Sequence, residues 1–525
     1  MHDINEQQNL EIPEMKTEIS EANVEVSEQE GTQRFRKKMS PVPLFKVLSW
    51  SILVSLFSVV NPLLTNLATN LQSQNLYAGW AMAQGQTIYS HIYGTSGLLY
   101  YLINWAGSMA FGQILFLIFQ VLALVLAGVY LFKTISYITT NSSLAQNLLP
   151  LFYLLTATLG FGGLYSSIFV FPFLFWSMYF LVRYVQNAVK DEVFILYGAV
   201  GALSFLVEPM LSIVFYTLAG LVLFAYNIAS KRKARGLYQC LAVLLGFSLL
   251  FYPLGYYTVW NGSFGVAISQ VTYAIDAFKL TGSQLPSNAL YYGLLTIGLG
   301  FVTAFVLGFQ FKKEAAVVRL MRILSLFGFL TVFIGALGLP EQGAYQLLPA
   351  LPFVIILFAL WFNKNGETSV ENEGRRRRER HKTSVWNRYF SKQVFLPLVA
   401  MIYLIGFPLV QEYILSNGVS GERAMAARYI RENSSAKDTI YAWDNTASLY
   451  QQSQRLSAVS ILTPSLYTGT EENQIYLRNT LNQVEPKFIL VNNHIQLLPD
   501  VDTKISKNYK ETNLKLSHFK LYQLQ

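Results

Sequence analysis

Eleven long apolar runs punctuate this chain, and the Lys and Arg residues between them collect in every second gap. The runs are Val47–Leu67, Ile114–Phe132, Leu144–Phe161, Ile168–Val185, Val193–Val207, Met210–Tyr226, Leu241–Tyr257, Ala289–Phe311, Ile323–Leu339, Leu347–Phe362 and Val394–Val410. A helix needs ~20 mostly apolar residues to cross ~30 Å of hydrocarbon. Most runs meet that once their flanking Tyr and Trp are included, which predicts a polytopic helical membrane domain. Val193–Val207 is short and can pair with Met210–Tyr226 around Glu208-Pro209 as a hairpin of thin or tilted helices.

Charge orients the bundle. With the N-terminus in the cytoplasm, the inner segments hold Arg34, Arg36, Lys37, Lys38 and Lys46, then Lys133, then Arg183 and Lys190. Further inner segments hold Lys231, Arg232, Lys233 and Arg235, then Lys312 and Lys313, then Lys364, Arg375–Arg378, Arg380, Lys382 and Arg388. Outer loops before Gln411 carry only Lys279. Short cytoplasmic loops retain positive charge, so the expectation is an inside N-terminus and an outside C-terminus. The net charge of +9 then reflects orientation and contact with anionic membrane lipids, not a nucleic-acid partner.

Three segments follow from composition: 1–46, a disordered tail, acidic then basic; 47–410, the membrane domain; and 411–525, an extracytoplasmic soluble domain. The first 33 residues hold nine Asp or Glu and no apolar periodicity. No cleavable signal opens the sequence, and Val47–Leu67 would serve as signal anchor. Cys240 is the sole cysteine, so no disulfide framework or cysteine metal site is expected. Beyond Val410, the pattern reads as helix Glu422–Asn433, strand Thr439–Trp443, helix Thr446–Gln452, helix Glu471–Val484, strand Lys487–Val491 and strand Lys520–Leu524. That alternation is an α/β layer.

The segment after the first run narrows the chemistry. It contains Tyr77, Trp80, Gly85, Tyr89, Gly97, Leu98 and Tyr100 in an order that resembles the first external loop of C-type-fold membrane glycosyltransferases, the protein mannosyltransferase-like and arabinosyltransferase-like group. Gln342–Phe353 is similar to a late Leu/Pro-rich segment of that group, and Ala424–Arg455 with Pro486–Val491 resembles the soluble domain of bacterial members. The resemblance implies an all-α polytopic fold with a small external α/β domain, in a bacterial plasma membrane. It also implies transfer of a sugar from a polyprenyl-phosphate donor to a cell-envelope glycan or protein acceptor on the outer face.

The chain departs from that pattern where chemistry would sit. The resemblance calls for acidic residues in the first external loop, because an acceptor hydroxyl is a weak nucleophile that needs a nearby carboxylate. This sequence has Ser73 and Gln74 there, His91 at a further acidic position, and no Asp or Glu from Gly31 through Lys190. The remaining outer candidates are Glu208 and His91 as acid–base groups, with Gln74, Tyr77, Tyr93, Tyr345, Asp276 and Glu341 as substrate contacts. A carboxylate at membrane depth is costly and tends to be functional, which favours Glu208. The bland alternatives are a solvated hairpin tip for Glu208, an interfacial histidine for His91, loop carboxylates for Asp276 and Glu341, and an interfacial aromatic belt for the tyrosines. No metal or cofactor is called for.

Three functional classes stay open: an active transferase, a degenerate relative that binds or assembles in envelope polysaccharide synthesis, and a transporter or flippase. Paired halves and a charged intramembrane relay, which would favour the last, are missing from the sequence.

Overall fold

A computed structural model describes residues 41–109, 114–310, 314–371, 384–391, 395–410, 414 and 418–525. The acidic tail, Lys312 and Lys313, and the Arg375–Arg378 cluster with Arg380 and Lys382 lie outside these residues. Among the described residues, six helices are long and apolar enough to cross a membrane: Ile114–Thr139, Ser166–Val185, Pro209–Ala229, Lys233–Trp260, Ala316–Gly338 and Ala344–Asn363. A seventh forms if Leu285–Gly298 and Phe301–Gly308, bent by 78°, count as one span. The chain is a multi-pass membrane protein. Leu44–Leu56, Val193–Val207 and Leu396–Val410 are shorter apolar helices.

Where the runs and helices differ, the backbone gives the reason. Val47–Leu67 is not one helix: Leu44–Leu56 ends before Pro62, which has no N–H to donate and starts a 3-10 turn capped by the Asn61 side chain. The Ala289–Phe311 run breaks at Gly300, whose φ of 78° suits glycine.

Two helices form the middle of the bundle, with 78% of Ser166–Val185 and 83% of Ala344–Asn363 buried. Phe152 meets Phe171 and Phe175 edge-to-face there, at 5.8 and 5.5 Å, and Phe171 and Phe175 are tilted at 6.2 Å. Lys233–Trp260 is peripheral and exposes Leu237, Leu241, Leu244, Leu245 and Leu249. Such a stripe is tolerable against lipid but not against water.

The C-terminal residues build a five-stranded sheet, ordered β2-β1-β3-β5-β4: β1 Thr439–Trp443, β2 Leu456–Ser457, β3 Phe488–Asn492, β4 Tyr509–Glu511 and β5 Phe519–Leu524. β1 runs parallel to β2 and β3, whereas β5 is antiparallel to both β3 and β4. Every residue of β3 is buried, as a central strand covered on both faces requires. The helix Pro499–Asn508 and the strands β2 and β4 are additions to the sequence reading.

Candidate active site

The local architecture starts from a turn rich in glycine. Phe161, Gly162 and Leu164 all have positive φ, at 49°, 74° and 59°. A turn of this kind leaves carbonyls unpaired inside the bundle, and buried amides satisfy them. Gln72 Nε2 donates to the carbonyls of Gly160 and Gly163, both at 2.9 Å, and Gln120 Nε2 donates to Gly162 at 2.8 Å. Asn75 Nδ2 and the Tyr100 hydroxyl both donate to the Leu164 carbonyl, at 2.8 and 2.7 Å. The turn thereby delivers Tyr165, Ser166 and Ser167 to the rim of a cavity.

That cavity has a volume of about 550 Å³, within the ~300–1,000 Å³ of ligand pockets. Aliphatic residues of Pro209–Ala229 and Ala316–Gly338, among them Leu211, Val214 and Ile334, form one side. Asn75, Thr95, Ser96, Ser166, Ser167, Glu208, Glu341 and Tyr345 bring polar atoms to it. Among the described residues, no Lys, Arg or His lines this cavity.

Glu208 sits in the one-residue link between Val193–Val207 and Pro209–Ala229, half-buried, and accepts a hydrogen bond from the Ser166 hydroxyl. Ser96 in turn donates to Ser166 at 3.0 Å. Burial pushes the Glu208 carboxyl up to about 7, and the Ser166 bond offsets part of that rise. A carboxyl that changes state near neutrality can both take and return a proton.

Glu341 follows the Ala316–Gly338 helix. Its Oε1 accepts from the Tyr273 hydroxyl at 2.5 Å and from the Tyr467 N–H at 3.2 Å. Burial raises its carboxyl, against the pull of those bonds. Tyr345 stacks on Tyr165 with ring centroids 5.2 Å apart and planes 10° off parallel.

The other predicted residues are placed elsewhere. Gln74 is buried beneath the C-terminal residues, donating to Asn70 Oδ1 and Thr463 Oγ1, both at 3.1 Å. Tyr77 accepts the Ser457 N–H at 2.9 Å and packs on Tyr450. Tyr93 accepts from Asn473 at 2.9 Å and lies against Tyr467. These three occupy the seam between the segment that follows the first apolar run and the sheet. His91 is exposed and bonds to Thr87 at 2.6 Å, while Asp276 is exposed at the end of a four-residue helix. Neither lines the cavity. Glu208, Glu341 and Tyr345 are therefore the predicted residues that the fold brings together.

Ser96, Ser166, Tyr165 and Tyr273 were not anticipated. The glycine-rich turn before Ser166 was the available signal, since three glycines in Gly160–Gly163 mark a tight reversal at a helix start.

A family model described as the putative competence-induced protein Ccs4 N-terminal domain matches residues 32–417, and the corresponding C-terminal domain model matches 420–525. No curated protein matches the sequence. Among solved structures, ArnT from Cupriavidus metallidurans bound to undecaprenyl phosphate superposes with a TM-score of 0.55 at 12% identity, covering 91% of this chain and 96% of that one. The oligosaccharyltransferase of Archaeoglobus fulgidus gives a TM-score of 0.44 at 14% identity, covering 87% and 70%. The ArnT likeness establishes a membrane glycosyltransferase-like fold.

Proposed function

The chain belongs to the putative competence-induced protein Ccs4 family, and from that premise and the geometry above we propose that it is a membrane glycosyltransferase taking its sugar from a polyprenyl-phosphate donor. The acceptor is a cell-envelope glycan or protein on the outer face of a bacterial plasma membrane. In this reading all eleven apolar runs cross or enter the bilayer, the N-terminus is cytoplasmic, and residues 411–525 form an external domain over the site.

One observation carries the reading: Glu208, held by Ser166 on the wall of a cavity whose other side is aliphatic. The aliphatic side suits a polyprenyl chain, and the ArnT structure of like fold holds undecaprenyl phosphate. In the transfer, the acceptor oxygen bonds to the anomeric carbon as its bond to the phosphate oxygen breaks. The electron pair leaves with polyprenyl phosphate, and Glu208 takes the acceptor's proton. Glu341 and Tyr345 contact the sugar.

A second reading, a relative that binds a lipid-linked sugar without turning it over, draws on two observations. Ser73 and Gln74, where the resemblance calls for acids, are engaged in the seam. The cavity lining also lacks a cation, among the described residues, to meet the leaving phosphate.

The test is purified protein with radiolabelled polyprenyl-phosphate sugars. Glu208→Gln should keep lipid binding and lose product by a factor on the order of 10²–10⁴. Wild-type product from Glu208→Gln removes Glu208 as base; binding without product from the native chain selects the second reading.

A further inference from the structure

A second cavity of about 380 Å³ adjoins the first. Leu339 and Glu341 line both, so one carboxylate borders two chambers. The chambers differ in chemistry. Lys279, Thr281, Ser283, Asn288, Thr468 and Gln474 bring ammonium, hydroxyl and amide groups to the second. Its aliphatic lining is smaller, chiefly Leu285, Leu337 and Leu339, than the side that Pro209–Ala229 and Ala316–Gly338 give the first.

The charges are equally distinct. Lys279 is the one basic residue of the outer loops before Gln411, and it is exposed at this cavity. Its ammonium meets no carboxylate within salt-bridge distance among the described residues. The cleft is formed jointly by the membrane part and the sheet part, and hydrogen bonds fix their junction. Tyr273 accepts the Gly469 N–H at 3.0 Å while donating to Glu341. Asn288 Nδ2 donates to the carbonyls of Leu337 and Leu339, at 3.1 and 2.9 Å, which holds the wall between the chambers.

We propose that this second cavity binds the hydroxyl-rich end of an acidic saccharide, with Lys279 meeting its negative group and Thr468 and Gln474 its hydroxyls. The role of that saccharide as acceptor rests on the reading of the first cavity as the donor site; the binding itself does not. Leu285, Leu337 and Leu339 give a lipid tail only a small apolar surface here, while saccharide hydroxyls meet ammonium, hydroxyl and amide groups. A volume near the lower end of the range for ligand pockets suits a saccharide end of one or two rings. Bound there, its terminal hydroxyl meets the donor sugar across Glu341.

The experiment uses the full chain in lipid nanodiscs and calorimetric titration with cellobiuronic acid, its neutral parent cellobiose, and polyprenyl phosphate. Cellobiuronic acid should bind about tenfold tighter than cellobiose, and Lys279→Met should abolish that difference, as loss of a charge-assisted hydrogen bond predicts. Thr468→Val combined with Gln474→Leu should weaken both disaccharides about tenfold or more. Ile334→Trp, which fills the first cavity, should stop polyprenyl phosphate binding and leave the disaccharides unaffected. Thermal melting of each variant separates these effects from misfolding. Failure of both disaccharides to bind overturns the proposal, and so does binding that ignores Lys279→Met and the double variant. Disaccharide binding without polyprenyl phosphate binding upholds the subsite and overturns the donor reading of the first cavity.

Discussion

The Ser73 hydroxyl accepts the backbone N–H of Ala447 at 3.0 Å, joining the helix Asn70–Ala83 to the sheet part across 374 residues of sequence. It also accepts from Thr446 Oγ1 at 3.0 Å and donates to the Asn70 carbonyl at 2.7 Å. A position where the resemblance calls for a carboxylate is thus a fully used hydroxyl in a buried seam. Ser73→Ala should cost about 1–3 kcal/mol, because it leaves the buried N–H of Ala447 unpaired. Ser73→Asp should cost more, since its carboxylate cannot donate to Asn70 and would be buried without a cation. Thermal melting in detergent reads both, and an Asp variant as stable as the native chain would contradict this account of the seam.

Glu208 supplies a pH signature. Its carboxyl is raised from 4.5 to about 7 in the fold, so the native state binds the proton more tightly than the unfolded chain does. The stability tied to that proton is fully present below about 4.5 and declines as pH rises through about 7, with a slope of at most about 1.4 kcal/mol per pH unit. Glu208→Gln should flatten that part of the stability curve. In the transferase reading it should also remove the limb of the rate profile near neutrality. An unchanged pH dependence of melting in the Gln variant would mean that Glu208 titrates like an exposed acid.

How far the sequence carries is seen residue by residue. Glu208 was legible because a carboxylate between two apolar runs has few bland explanations. Ser166 was not, since the glycine-rich turn before it marks a reversal but does not report the carboxylate 42 positions away that gives the hydroxyl its value. The same holds for Gln74, whose partner Thr463 lies 389 residues downstream. The strands Thr439–Trp443 and Phe488–Asn492 announced themselves through apolar, β-branched and aromatic composition. The helix Pro499–Asn508 had a start signal in Pro499, Asp500 and Asp502, with Val501 and Ile505 buried one turn apart. Its mean composition is polar, so it resembles loop until the proline and acids of its first turn are noticed.

Two helices touch through glycine. A Cβ on Gly246 would stand 1.8 Å from the Ile195 carbonyl oxygen, and one on Gly198 would stand 2.0 Å from that of Val243. Lipid gives apolar side chains no reason to prefer each other over acyl chains, so such backbone contact supplies much of the association between membrane helices. Gly246→Val should therefore force Val193–Val207 away from Lys233–Trp260 and cost more than about 3 kcal/mol. Gly220→Val, with nothing within 4 Å of the added atom, is the matched control. Size-exclusion profiles and melting in detergent compare the two; equal behaviour would remove the contact as a determinant of the fold.

Relative sidedness is set by contacts, and labelling sets the absolute direction. Tyr93 donates its N–H to the Ser460 carbonyl at 3.0 Å, and Glu341 accepts from Tyr467 at 3.2 Å. The loops after the first and seventh runs, which include Tyr93 and Tyr273, and the loop holding Glu341 thus share one face with the sheet. The Lys231–Arg235 turn joins the inner ends of two spans in the charge-based orientation. In a Cys240→Ala background, needed because Cys240 is exposed, cysteines at Ser269 and Asn493 should react with an impermeant thiol reagent on intact cells. A cysteine at the exposed Lys233 should react only after permeabilisation. Labelling at Lys233 but not at Asn493 in sealed cells would invert the molecule and place both cavities on the cytoplasmic side. Labelling at Ser269 but not at Asn493 would instead separate the sheet from the loops it contacts, and with it the shared wall at Glu341.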